Sequence, residues 1–285
     1  MMDGFRWCGA GVPVSRTVCP GCRQRSRIET AMSGGALVSI GVSVISYLLR
    51  QLPVPQMVQR IRAAGYTNVE LHFGHPDGAA DYRIGGEGEA RRTGARLRAA
   101  GVVPEAYCVG GIQPQNVENA ERAFAFARGL GVDVITGVAH PNVLARLDAL
   151  CDTYGMRYAI ENHHGNVFER AETMLEALRE CSPRLGVNFD SGHFFAAGLD
   201  PVAQARMLAG RIYHVHLKDS DQERAVGEGA IRMVELLAAL VAGGFDGMLS
   251  VEQGETRTPL DAAVLDGILR RSFAFTLRML DGLPA

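Results

Sequence analysis

Eight times between residues 36 and 281, a short run rich in β-branched residues gives way to a longer stretch rich in Ala, Leu, Arg and Glu. The runs "LVSIGVSV" (37–44), "NVELHF" (68–73), "VVPEAYCV" (102–109), "VDVITGV" (132–138), "RYAIENH" (157–163), "RLGVNFD" (184–190), "RIYHVHL" (211–217) and "MLSVEQ" (248–253) predict strands. The stretches 54–65, 87–101, 115–130, 141–155, 168–181, 201–210, 229–243 and 260–281 predict helices. Strands that alternate with helices pair in parallel, because each crossover returns the chain to the same edge. Eight such units in about 250 residues have the size of a (β/α)8 TIM barrel. A doubly wound open sheet would need a glycine-rich phosphate turn after its first strand, and "GVSVISYLL" (41–49) is not one. The reading is a single α/β barrel domain over residues 36–285, preceded by a short, poorly ordered extension over residues 1–35.

The 285 residues and 47% hydrophobic content suffice for a large core. A net charge of -2 argues against a nucleic-acid surface. No apolar run is long enough for a membrane span, and the N-terminus has no apolar stretch of the secretory kind, so a cytoplasmic protein is expected. The six cysteines, Cys8, Cys19, Cys22, Cys108, Cys151 and Cys181, form no disulfide framework. "CPGC" (19–22) looks like half of a zinc knuckle, but the first 35 residues add only Cys8 to it.

The acidic residues and histidines gather at the predicted strand ends: Glu70 and His72, Glu105, Glu161 and His163, Asp190 with His193 beyond it, His214 and His216, and Glu252. In a barrel, that end carries the active site. Period two puts Glu161 and His163 on one face and sets His214 one layer below His216, while His164 points away from His163. Glu161, Asp190, His216 and Glu252 then converge from four successive strands. Three carboxylates so close repel one another, and a divalent cation removes the conflict. Three carboxylates and one imidazole suit Mn²⁺ first, with Mg²⁺, Co²⁺ or Zn²⁺ as alternatives. Glu70 and His163 are assigned to the substrate, with a turn cap as the other reading of Glu70. His214 is read as a satisfied buried histidine. Lys218 in "HLKDSD" is either a substrate contact or, with Asp219, part of a solvated turn.

The motifs "IENH", "NFDSGHFFAAG", "YHVHLKDSD" with the later "GEG", and "SVEQG" resemble those of the xylose isomerase-like barrels, the sugar phosphate isomerases and epimerases, over roughly residues 36–280. In the ketose 3-epimerases of that group one divalent metal is held by Glu, Asp, His and Glu from the fifth to eighth strands. The resemblance places those ligands at Glu161, Asp190, His216 and Glu252. It makes Glu161 and Glu252 the acid/base pair and His193 a substrate contact. One departure concerns an arginine that contacts the epimerase substrate: Gln222 stands at its position, with Arg224 nearby. The motifs resemble inosose dehydratase at least as closely, and 3-dehydroshikimate dehydratases more loosely. Endonuclease IV shares the fold but needs an Asp-x-His where this chain has Asp221 and Glu223.

The resemblance implies an isomerase or epimerase that moves a proton through an enediolate of a sugar or polyol ketone. The alternative is dehydration of a cyclic keto-polyol on the same metal site. The non-enzyme alternative is a barrel that binds metal and sugar without turnover. Dimers and tetramers are common among similar proteins, so the resemblance implies a homodimer or homotetramer.

Overall fold

The computed structural model describes residues 27–31 and 37–282. Nine strands form one sheet in chain order: β1 (Arg27–Ala31), β2 (Leu37–Ile45), β3 (Asn68–His72), β4 (Val103–Ile112), β5 (Val134–Ala139), β6 (Arg157–Glu161), β7 (Leu185–Asp190), β8 (Ile212–Leu217) and β9 (Met248–Val251). Strands β2 to β9 are parallel, and β9 closes onto β2 through Gly41–Met248 to Val44–Val251. This is the eight-stranded barrel that the alternation predicts, and every predicted barrel strand is present.

The extension differs in part from its expected disorder. Arg27–Ala31 pairs antiparallel with the first half of β2, from Arg27–Gly41 to Ala31–Leu37. That half of β2 overlaps the β9 ladder only at Gly41, so its backbone is open to a further strand. The other residues of the extension, with Cys8 and "CPGC", lie outside the described residues.

The helices are α1 (Val54–Ala63), α2 (Glu87–Ala99), α3 (Ala120–Leu130), α4 (Leu144–Tyr154), α5 (Ala171–Ala177), α6 (Ser191–Ala196), α7 (Pro201–Met207), α8 (Met233–Ala242) and α9 (Ala262–Asp281). All eight expected helices form. The six-residue α6 is additional and starts directly at the end of β7. The C-terminal α9 packs on the barrel: Tyr66 donates a hydrogen bond to the Leu269 carbonyl at 3.1 Å, and its ring meets Phe273 at 4.7 Å.

Both faces of the barrel strands are buried, but their chemistry differs. Outward residues such as Val69, Leu71, Ile135, Ile160, Val187, Phe189, Val215 and Leu249 are fully covered apolar groups under the helices. The interior instead holds Ser43, Glu70, Thr136, Asn188, His214 and Ser250, all buried. Glu70 on β3 touches His214 and His216 on β8, which is not its neighbour in the sheet, so these contacts cross the barrel interior. A polar interior is costly unless its groups bond one another or a ligand. Glu70, Thr136 and His214 meet that cost by bonding one another.

Candidate functional site

Four expected residues meet at the barrel mouth. Glu161 and Asp190 end β6 and β7, His216 is the penultimate residue of β8, and Glu252 follows β9. One ligand atom from each lies within 4.8 Å of all the others. His216 Nδ1 is 2.9 Å from Glu252 Oε2, 3.2 Å from Glu161 Oε1 and 3.9 Å from Asp190 Oδ2. The register explains the convergence. A shift between Val187 and Asn188 brings Asp190 level with His216.

These groups fit a divalent cation. Asp190 Oδ2 and Glu252 Oε2 are buried and make no hydrogen bond. Each faces the Lys218 ammonium at 3.2 Å. Buried carboxylate oxygens aimed at one point demand positive charge, which a divalent cation could supply alongside Lys218. Burial opposes ionisation of Glu161 and Glu252, but positive neighbours prevail. The His216 charge holds Glu161 below the usual carboxylate range, and Lys218 and His216 pull Glu252 down to about 2. Burial alone would discharge Lys218 and His216. Asp190, Glu252 and Glu255 keep the ammonium protonated, while Glu70, Glu252 and Glu161 raise the imidazole well above its ordinary value.

Glu70 does not sit at the mouth. It lies one layer below, fully buried, and its carboxylate accepts from His214 Nε2 at 2.9 Å and from His216 Nε2 at 3.0 Å on both oxygens. The Thr136 hydroxyl donates to Oε1 as well. All its lone pairs therefore point at protein, which gives Glu70 a positioning role in place of the expected substrate contact. It holds the His216 ring with Nε2 inward and Nδ1 towards the carboxylates. His214 is the satisfied buried histidine that the sequence indicates.

The expectation that His164 points away from His163 does not hold. β6 stops at Glu161, so the strand alternation ends before either histidine. The chain then turns through Gly165, whose φ of +78° suits glycine. The His163 and His164 rings stack at 4.9 Å and 15°, and both meet His193 of α6, at 4.0 and 4.9 Å. His193 itself is fixed by its backbone N–H, which donates to Asp190 Oδ1 at 2.7 Å. Its Nε2 faces Asp190 Oδ2 at 3.6 Å and Glu161 Oε1 at 3.9 Å. Asn162 clamps β6 to β7 by exchanging two hydrogen bonds with the Asp190 backbone, at 2.7 and 3.0 Å.

Other expectations shift. Glu105 is near the start of β4, at the opposite end of the barrel, where it lines a cavity of about 430 Å³ with Asp133, Arg157, Arg184 and Asp246. Arg224 does not replace the missing arginine: it pairs with Asp221 at 3.1 Å and is 64% exposed. Gln222 is committed to the loop, donating to the Asp219 carbonyl and accepting from Gly254 and Glu255 N–H groups. Asp219 is no solvated turn. It is buried, and its carboxylate accepts from the backbone N–H groups of Ser220, Gly227, Gly229 and Ile231 at 2.7 to 3.2 Å. A Cβ on Gly229 would collide with that carboxylate, which is why "GEG" follows "KD" here. Lys218, next to Asp219, is thereby held inward. Tyr47 and Glu255 escaped the sequence reading. Glu255 lies 3.2 Å from Lys218 Nζ, and burial and Glu255 raise the Tyr47 phenol.

The profile of the xylose isomerase-like TIM barrel family matches residues 58–270. The chain belongs to that family. Its curated relatives include an uncharacterized protein of Methanocaldococcus jannaschii, 30% identical over 126 residues, which span 41% of this chain and 43% of that one. The inosose dehydratase of Geobacillus kaustophilus is 30% identical over 131 residues, 38% of this chain and 42% of that one. The matched segments thus span less than half of either relative. An L-ribulose 3-epimerase shares the fold, with a TM-score of 0.69 and 17% identity over 84% of this chain and 94% of that one. No helix among the described residues is long and apolar enough to cross a membrane. Cys108, Cys151 and Cys181 are free thiols.

Proposed function

We propose that this chain is a divalent-metal-dependent isomerase or epimerase of a small polyhydroxy ketone, with Glu161, Asp190, His216 and Glu252 as ligands. The observation that carries the reading is the convergence of these three carboxylates and one imidazole at the barrel mouth. A bound divalent ion would supply Lewis-acid polarisation of the substrate carbonyl, which acidifies the adjacent C–H. Mn²⁺ is the first candidate, on donor chemistry alone.

Glu161 and Glu252 enter from β6 and β9, on either side of the His216 strand, so they reach a substrate at the mouth from two directions. Both carboxylates are ionised at neutral pH, the form a base needs. One takes the α-proton and becomes a carboxylic acid; the other first takes a proton from solvent and then delivers it to a substrate carbon, and the first releases its proton to solvent, so that one proton leaves and one enters per turnover. Return to the same carbon gives epimerisation, and return to the former carbonyl carbon gives isomerisation. Lys218 reaches the same space with a protonated Nζ and would donate hydrogen bonds to a substrate oxygen. His163 and His193 line the β6–β7 side and would contact hydroxyl groups.

A second reading, dehydration of a cyclic keto-polyol, begins with the same proton abstraction and then expels a β-hydroxyl. His193 bears on it by position: its Nε2 faces Glu161 and Asp190 at 3.9 and 3.6 Å, beside the site of proton abstraction, and burial lowers its imidazole, so it would serve a leaving hydroxyl as an Nε2–H hydrogen-bond donor. The similarity to inosose dehydratase supports it too.

The test is an NMR assay in D₂O with Mn²⁺, offering common ketoses, 2-keto-myo-inositol and 3-dehydroshikimate. Deuterium at a retained hydroxyl-bearing carbon is the expected result. Loss of water with a new enone or diketone signal would replace the first reading by the second. Glu252→Gln should abolish α-proton exchange, and near-normal turnover in that variant would refute the mechanism.

A further inference from the structure

Beside the carboxylate cluster, and separate from it, stands a group of three imidazoles. His163 and His164 come from the turn after β6, and His193 from the first turn of α6. One ring nitrogen of each lies within 4.8 Å of the other two. Stacked histidines on a loop need no ligand to explain them, so the weight falls on how the individual nitrogens are used.

His163 Nδ1 is engaged at 2.9 Å with the His164 carbonyl, an acceptor only, so Nδ1 carries the proton and Nε2 keeps a lone pair. His193 Nε2 looks towards Asp190 and Glu161 at 3.6 and 3.9 Å, which turns Nδ1 towards His164. His164 Nδ1 and His193 Nδ1 face each other at 2.8 Å. Two imidazole nitrogens in that arrangement share a single proton. His193 thus has Nε2 on the carboxylate side and Nδ1 turned into the cluster. His163 has its Nδ1–H anchored by a carbonyl, as the remote N–H of a metal-ligating histidine is.

We propose that His163, His164 and His193 form a second divalent-metal site, selective for a borderline ion such as Zn²⁺ or Co²⁺. Two nitrogens on a tetrahedral Zn²⁺ at about 2.05 Å stand about 3.3 Å apart. The facing Nδ1 atoms need to separate by only about half an ångström from their 2.8 Å spacing. The ion replaces their shared proton. His164 is exposed, which gives the ion a path in and leaves a position open to water or a substrate oxygen. The donor chemistry separates the two sites. Three neutral imidazoles prefer Zn²⁺ and Co²⁺, whereas the oxygen-rich cluster at Glu161, Asp190, His216 and Glu252 suits Mn²⁺ and Mg²⁺. His193 links them, facing Asp190 and Glu161 through Nε2.

The experiment compares metal uptake by the full chain, stripped of metal, with that of His164→Ala and of His163→Gln, by calorimetry and elemental analysis. Cys8, Cys19 and Cys22 are common to all three proteins, so any Zn²⁺ they hold cancels in the comparison. The expected result is one Zn²⁺ equivalent fewer in each variant than in the wild type, with Mn²⁺ uptake unchanged. Equal Zn²⁺ stoichiometry in wild type and His164→Ala overturns the proposal. So does retention of that equivalent in His163→Gln. Absence of Mn²⁺ binding in the wild type would refute the proposed function and leave the comparison of Zn²⁺ stoichiometries intact.

Discussion

Replacing Glu70 with glutamine keeps the side-chain volume and removes a charge that lies about 3 Å from two imidazoles. The carboxylate serves three donors: His214 Nε2 on Oε2, the Thr136 hydroxyl on Oε1, and His216 Nε2 at 3.0 Å from both. Glutamine has one acceptor oxygen and two N–H donors. With that oxygen turned to the imidazoles, its amide group faces Thr136, whose hydroxyl can rotate and accept. Each imidazole then exchanges a charge-assisted hydrogen bond, worth about 1.5–3 kcal/mol, for a neutral one worth about 0.5–1.5 kcal/mol. The loss is about 1 kcal/mol at each histidine. The His214 share falls on stability, because His214 is not one of the four residues at the mouth, and the His216 share appears in metal affinity, because the charge behind His216 makes Nδ1 a better donor. About 1 kcal/mol is roughly a 5-fold weaker Kd. Calorimetric titration of Mn²⁺ into wild type and Glu70→Gln at pH 7, with circular dichroism to establish folding, measures it. A folded Glu70→Gln protein that binds Mn²⁺ within about threefold of wild type would refute the positioning role.

Two further outcomes concern stability. Burial pushes the His72 imidazole down to about 4, and its Nδ1 accepts the Gly74 N–H at 3.0 Å, so it is neutral in the fold. The unfolded chain binds that proton near pH 6.5, so the contribution is complete above pH 6.5 and is lost as pH falls towards 4, by up to about 3 kcal/mol. Urea unfolding at pH 7, 5.5 and 4.5 should show a shallower decline for His72→Gln than for wild type, and parallel declines would contradict the assignment. Asp219→Ala removes the acceptor of four backbone N–H groups and should lower stability by about 3 kcal/mol or more, with faster hydrogen exchange at Gly227, Gly229 and Ile231. An unchanged melting temperature would show that water replaces the carboxylate.

The barrel, the order of its strands and the four residues that gather at its mouth were legible in the chain alone. Those features rest on local properties of the chain: period two within strands, longer amphipathic stretches between them, and the rule that strand ends share one face. Local properties fail where an element ends. β6 stops at Glu161, so alternation could not place His163 and His164, and only the turn through Gly165 brings them against His193. They fail also at β4, whose true span of Val103–Ile112 moves Glu105 to the far end of the barrel. Long-range contacts were beyond reach for a different reason. Glu70 and His216 are 146 residues apart and meet only because the closed barrel sets β3 across from β8. Their level depends on the register shifts at Val69/Glu70 and Val187/Asn188, which no periodicity records. Asp219 likewise gains its meaning from a loop that folds back eight to twelve residues later. The residue types at the mouth are written in the chain. Which of them faces the site, which stands behind it, and which holds a loop closed follows from the geometry of barrel closure.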